Sequence, residues 1–126
     1  MLASKAYPGV MLSLFLVSGC ATQKVVSFQS DIEPILNDKC LQCHNPPDGA
    51  GYVQTGLDME SYDTLMKGTI FGTVIIPGDS KRSVLNKLTE GRAGEMMRMP
   101  HGDAQKLTEE EVALLRLWVN QGALNN

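Results

Sequence analysis

The sequence predicts a small all-α domain of three to four helices joined by Gly/Pro-rich loops. Two segments, Ser30-Asp31-Ile32-Glu33 and Thr108-Glu109-Glu110-Glu111, each stand ahead of an apolar helical face. Clusters of Gly and Pro punctuate the stretches between them. A single run, Thr73-Val74-Ile75-Ile76, has the β-branched character of a strand.

In a capping box a Ser or Thr and a Glu three residues on satisfy free backbone donors of a first helical turn, so the first helix is expected to begin at Ser30. Pro34 falls within that turn, where its missing N–H removes no hydrogen bond. Ile32, Ile35, Leu36 and Lys39 continue the helical spacing to Cys40. Asn45-Pro46-Pro47-Asp48-Gly49 then stops the helix, because a residue before proline is pushed out of helical geometry, and a Gly-rich loop follows. Gly56-Leu57-Asp58 leads to a short helical stretch, Ser61 to Lys67, closed by Gly68. Thr73 to Ile76 is read as an extended segment packed on the core. Pro77-Gly78-Asp79 is a turn, after which Ser80 is expected to cap a helix through Leu85 and Leu88. A loop with Met96, Met97 and Met99 precedes the last helix, whose acidic first turn suits the positive helix end. Val112, Leu115 and Val119, flanked by Leu114 and Trp118, form its apolar face, and Gly122 ends it.

With 11 Lys and Arg against 14 Asp and Glu, the formal charge is −3. That near balance offers no basic surface to a phosphate backbone, so nucleic-acid binding is not expected. The 126 residues suit one domain, and no repeat or charge run divides them. Residues 1–19 read as a secretory signal peptide: Lys5, then an apolar run from Val10 to Val17, then Ser18-Gly19 ahead of Cys20. A membrane-spanning helix takes about 20 apolar residues, so this run is too short to be one. Leu16-Val17-Ser18-Gly19-Cys20 resembles the lipobox of bacterial lipoproteins, in which the peptide is cut before the cysteine and the cysteine is lipidated. The resemblance implies a 107-residue mature chain, of charge −4 once Lys5 leaves the −3 total. It would be anchored on the periplasmic side of a membrane of the bacterial cell envelope. A plain export signal is the alternative. Residues 20–27 are then the lipidated N-terminus and tether, and 28–126 the folded domain.

Cys40-Leu41-Gln42-Cys43-His44 is where the chemistry concentrates. On a helical turn residues three apart face one side, so both thiols can reach the vinyl groups on one edge of a haem while His44 reaches the iron. This five-residue pattern is the attachment signal of a c-type haem. Cys40 and Cys43 are therefore the candidate thioether residues and His44 the candidate proximal ligand. An exported chain with three cysteines ordinarily forms one disulfide, but lipidated Cys20 and a haem on Cys40 and Cys43 use all three. A zinc site wants four Cys or His ligands, and beyond the motif only His101 remains. A thioredoxin-like pair places its first cysteine at a helix start, whereas here the helix precedes the motif.

A second axial ligand is sought in Met96-Met97-Arg98-Met99-Pro100-His101. Met99, stiffened by the following proline, is the candidate distal ligand, and its soft sulfur favours ferrous iron and raises the potential. His101 is the alternative, giving two imidazoles and a lower potential. Met96 and Met97 are read as core filling or haem-pocket lining. Trp118 and Leu115 are read as core, Tyr52, Tyr62 and Phe71 as packing, and Arg98 or Arg92 as a donor to a haem propionate.

The ordered set Phe28, Asp31-Ile32, Pro34-Ile35-Leu36, Cys40 to His44, Gly56-Leu57-x-Met59, Ile76 to Asp79, Ser83-x-Leu85, Met99-Pro100, Leu107-Thr108-x-Glu110-Glu111 and Leu117 to Ala123 resembles the class I cytochrome c superfamily. Over residues 28–123 it is similar to the planctomycete-type cytochrome c domain. The resemblance implies a cytochrome c-like fold around one covalent haem c, its first and last helices crossing beside the haem, with His44 and Met99 on the iron. The family pattern continues Met-Pro-Pro where this chain has His101, so paired histidine ligation stays open. The expected function is electron transfer by a membrane-anchored monohaem cytochrome cycling between Fe(II) and Fe(III). Such a carrier serves redox protein partners and is neither an enzyme nor a binder of small-molecule substrates. A haem-based ligand sensor, or the haem subunit of a larger periplasmic oxidoreductase, are the alternatives.

Overall fold

The computed structural model describes residues 22–126. Five α-helices follow one another: α1 (Glu33–Lys39), α2 (Ala50–Thr55), α3 (Tyr62–Lys67), α4 (Val84–Thr89) and α5 (Glu109–Asn120). A π-helical turn, Phe28–Ile32, leads into α1, and a 3-10 turn, Glu95–Met97, follows α4. Among the described residues extended chain pairs at one isolated bridge, Thr69 with Gly72. The all-α expectation holds, with one helix more than the three to four expected, because α2 forms where a Gly-rich loop was read. The expected signal peptide and Cys20 lie outside the described residues.

The chain turns helical two residues before the expected start. Ser27, not Ser30, is the N-cap, its hydroxyl accepting from the Ser30 N–H at 3.2 Å. Asp31 accepts from the Ser27 N–H at 2.9 Å and pairs with Lys24 at 2.8 Å. The Lys24 hydrogen bond first, and the Ser27 N–H next, hold its carboxyl below the usual carboxylate range. The early start has a tertiary cause. Asn126 takes up two first-turn donors, Phe28 N–H on its side chain at 2.9 Å and Gln29 N–H on its backbone carbonyl at 3.1 Å, which would otherwise be orphaned. The fold also reaches back past residue 28, the expected boundary, since Val26 is buried in the core.

α3 follows the expected stretch and ends at Gly68; Ser61 caps it, reciprocated by Thr64. Thr73 to Ile76 is extended and buries Val74 and Ile75. α4 begins at Val84, later than expected, with Ser83 and not Ser80 at its N-cap position; the Ser80 N–H donates to the Asn120 side chain at 3.0 Å. Ser83 precedes the helix instead, with its hydroxyl donating to the Asp79 carbonyl at 2.8 Å and accepting from the Ile76 N–H at 2.8 Å. α5 has the predicted box, Thr108 and Glu111 bonding reciprocally, and buries Leu115, Trp118 and Val119.

The crossing of the first and last helical segments is the centre of the core. Phe28 lies 5.6 Å from Trp118 between ring centroids, and Tyr62 meets Phe28 edge-on at 5.2 Å. Past α5, Gly122 at φ +104° reverses the chain. The tail then accepts from the Trp118 indole on the Leu124 carbonyl at 2.9 Å and from the Tyr62 hydroxyl on the Ala123 carbonyl at 2.8 Å. Phe71 does not pack as expected, and of the two readings of Met96 and Met97 core filling fails. Phe71 is 81% exposed, at the tip of the Thr69 to Gly72 turn, and Met96 and Met97 are exposed on the 3-10 turn, so neither methionine fills the core. No described helix is long and apolar enough to cross a membrane.

Candidate functional site

α1 ends at Lys39, so the Cys-x-x-Cys-His motif begins at the C-cap rather than inside the helix. Helical curvature nevertheless continues for one turn. The Cys43 and His44 N–H groups both donate to the Cys40 carbonyl, at 3.1 and 3.0 Å. That turn keeps the two cysteines on neighbouring positions of one face. Both are free thiols, Cys40 half-buried against the core and Cys43 exposed. Burial first, then Cys43 and Glu111, push the Cys40 thiol up to about 12. A thioredoxin-like pair starts a helix, whereas Cys40 stands at the C-terminal end of α1, packed on the core, so the structure speaks against that reading.

The motif is then pinned from the downstream chain. The Tyr52 N–H of α2 donates to the Cys43 carbonyl at 3.0 Å, and the Met59 N–H to the His44 carbonyl at 2.9 Å. Between these two anchors the His44 ring is buried against Gly51. A Cβ on Gly51 would stand 2.6 Å from Cε1, 2.8 Å from Nδ1 and 2.9 Å from Nε2 of that ring. Such separations are shorter than any van der Waals contact. The ring therefore occupies the space a side chain at position 51 would need.

Nδ1 of His44 is buried and makes no hydrogen bond among the described residues. Burial lowers the His44 pKa; the Leu57 backbone acts in the opposite sense, without reaching hydrogen-bond geometry, and His101 adds a smaller downward push. A neutral imidazole is the form that ligates metal. The candidate distal ligands, Met99 and His101, lie on a separate segment that follows the 3-10 turn.

That segment is held from two sides. The Met99 N–H donates to the Leu88 carbonyl at the end of α4 at 3.1 Å. The Lys106 ammonium donates to the Pro100 carbonyl and, at 3.2 Å, to the Gly102 carbonyl. Met99 is half-buried and His101 exposed. The two arginines separate: Arg92 is committed to the Lys81 and Ser80 carbonyls, at 3.0 and 3.1 Å, and to Glu90. Arg98 keeps a buried Nε with no partner among the described residues, so it is the guanidinium with a donor left for an anionic group.

Two free thiols one turn apart, followed by a seated imidazole with its Nδ1 sealed away, fit a covalently attached haem. In such an attachment the thiols would be the nucleophiles for its vinyl groups and the imidazole would be a ligand for its iron. Among the described residues no three His, Cys, Asp or Glu side chains converge on a common point as a cage for a bare metal ion.

Sequence reasoning missed Gly51 and Lys106. The signal for Gly51 was present: a glycine inside a helix costs about 1 kcal/mol relative to alanine and calls for a packing reason. It was invisible because α2 itself was read as loop. Lys106 had no signal, since its two carbonyl partners become neighbours through loop conformation.

A family model for planctomycete cytochrome C matches residues 40–103, from the first motif cysteine to just past His101. No curated protein and no solved structure matches the chain.

Proposed function

The chain belongs to the planctomycete cytochrome C family, and from that premise we propose that it is a membrane-anchored monohaem c-type cytochrome acting as an electron carrier. Cys40 and Cys43 hold the haem through thioethers, His44 is the proximal ligand and Met99 the distal one, with His101 the alternative. The haem supplies one-electron chemistry, its iron passing between Fe(II) and Fe(III). The protein's part is to fix and orient. Gly51 and the backbone bonds from Tyr52 and Met59 set the pose of the imidazole, and Leu88 and Lys106 hold the methionine segment. With both axial positions taken by the chain, no position is left for substrate, which favours a carrier over an enzyme. Lipidation of Cys20 would keep the carrier at the periplasmic face of a membrane. The observation that carries the proposal is the His44 ring seated on Gly51 directly after two unpaired cysteines.

The test is an optical spectrum of protein purified from a host that matures such cytochromes, taken in both oxidation states. A c-type spectrum that survives acid-acetone extraction is expected. A colourless product, or haem that extracts, would overturn the proposal. In the same preparation Met99→Ala should abolish the weak near-infrared absorption of a methionine–Fe(III) bond and lower the reduction potential. An unchanged band and potential would transfer the ligand role to His101 or another methionine.

Gly51→Ala is expected to lower the reduction potential and the thermal midpoint together, because the new methyl must displace either the imidazole or α2. Ala50→Gly, the exposed neighbouring position, is the control and should move the midpoint but not the potential. Equal potentials for Gly51→Ala and the natural protein would show that Gly51 does not set the ligand pose.

A further inference from the structure

Residues 24–29 are not a loose leader but are clasped to the end of the chain. The Gln121 side chain brackets Val25, donating to the Lys24 carbonyl at 2.7 Å and accepting from the Val26 N–H at 2.9 Å. Asn126 holds the next residues: its side chain accepts from the Phe28 N–H at 2.9 Å, and its carbonyl accepts from the Ser27 hydroxyl at 2.7 Å. Val26 between them is 1% exposed. Only residues 21–23 separate Cys20 from the clasp. Four peptide steps at no more than about 3.6 Å each span at most about 14 Å, under half the roughly 30 Å of a bilayer's hydrocarbon core.

We propose that the clasp face, carrying Lys24, Val25 and Leu124, lies against the lipid surface of the membrane. The proposal rests on the reading of Cys20 as a lipid anchor. Such a short reach keeps the clasp within about 14 Å of the anchored cysteine, beside the headgroup region. The face has the composition for that place. Val25 is 69% exposed and Leu124 52%, two apolar side chains on the N-terminal segment and the C-terminal tail that Gln121 and Asn126 join. The Lys24 ammonium beside them is 58% exposed, although Asp31 pairs with it. The mature chain is acidic overall, so attraction to anionic headgroups is not what holds it there. The anchor and the two apolar side chains do.

This orientation has a consequence for electron transfer. Cys40 stands twelve residues beyond Phe28 along one helical run, on the order of 18 Å at 1.5 Å per residue. The clasp and the motif are thus at opposite ends of that run, so lipid contact at the clasp leaves the exposed Cys43 at the other end.

The test is carbene footprinting of the full-length lipidated protein in vesicles of phosphatidylethanolamine and phosphatidylglycerol. The soluble Cys20→Ala form is labelled alongside. Several-fold lower labelling at Val25 and Leu124 is expected in the vesicles, with Phe71, equally apolar and more exposed, labelled alike in both samples. The mass of the N-terminal peptide reads the anchor independently. A lipidated peptide with unprotected Val25 and Leu124, or with protection at Phe71 instead, overturns the orientation and leaves the anchor standing. A peptide without lipid overturns both.

Discussion

Replacing Cys40 and Cys43 together by serine is expected to abolish covalent haem, the largest change any substitution in this chain should produce. A serine hydroxyl adds to no vinyl group under the conditions of cytochrome maturation, so the porphyrin would be retained by axial bonds alone. Stability should fall as well, because a domain of this size buries limited apolar area and a large apolar group that binds only the folded state adds to it. The two single variants should differ. Cys40 packs on the core and Cys43 is exposed, so Cys40→Ser should lose packing as well as a thioether, and Cys43→Ser the thioether alone. Mass spectrometry of the intact protein reads the outcome directly. A haem adduct persisting in the double variant would remove the chemical basis of the proposed function.

Trp118→Ala should be nearly as damaging to the fold. Trp118 is fully buried, stacked at a tilt on Phe28, and donates its indole N–H to the Leu124 carbonyl. Truncating a buried tryptophan costs about 3–5 kcal/mol, and the lost hydrogen bond adds about 1 kcal/mol. Against a typical total of about 5–15 kcal/mol, the variant should be largely unfolded in mild urea. Trp118→Phe keeps most of the ring and loses the bond, so it should recover most of the midpoint. A loss below about 1 kcal/mol for Trp118→Ala would mean that the helix crossing is not the centre of stability.

Helices with a complete local cap were readable without any partner. α5 begins where Thr108 and Glu111 bond to each other, and α3 where Ser61 meets Thr64, so three or four residues contain the whole cause. The first helix was misplaced because its cap is not local. Ser30-Asp31-Ile32-Glu33 has the letters of a box, but Asn126, a chain length away, satisfies the donors at Phe28 and Gln29 and moves the start back to Ser27. α4 starts late for a different reason: the Ser83 hydroxyl bonds the Ile76 N–H and the Asp79 carbonyl and holds the chain in a turn before the helix. Packing of Phe71 and core filling by Met96 and Met97 fail because hydrophobicity says that a side chain prefers burial but not that the fold provides room for it.

The sequence by itself determined the motif, with its two cysteines and adjacent histidine, and the places of α3 and α5. Each of these is written in residues a few positions apart, where spacing along the chain is already spacing in space. Only the tertiary structure decided that a glycine makes room for His44, that one arginine is committed while the other keeps a donor, and that residues 24–29 belong to the domain. Those depend on which distant backbone groups become neighbours, and a hydrogen-bond donor has no preferred partner until the packed core has brought one within about 3 Å.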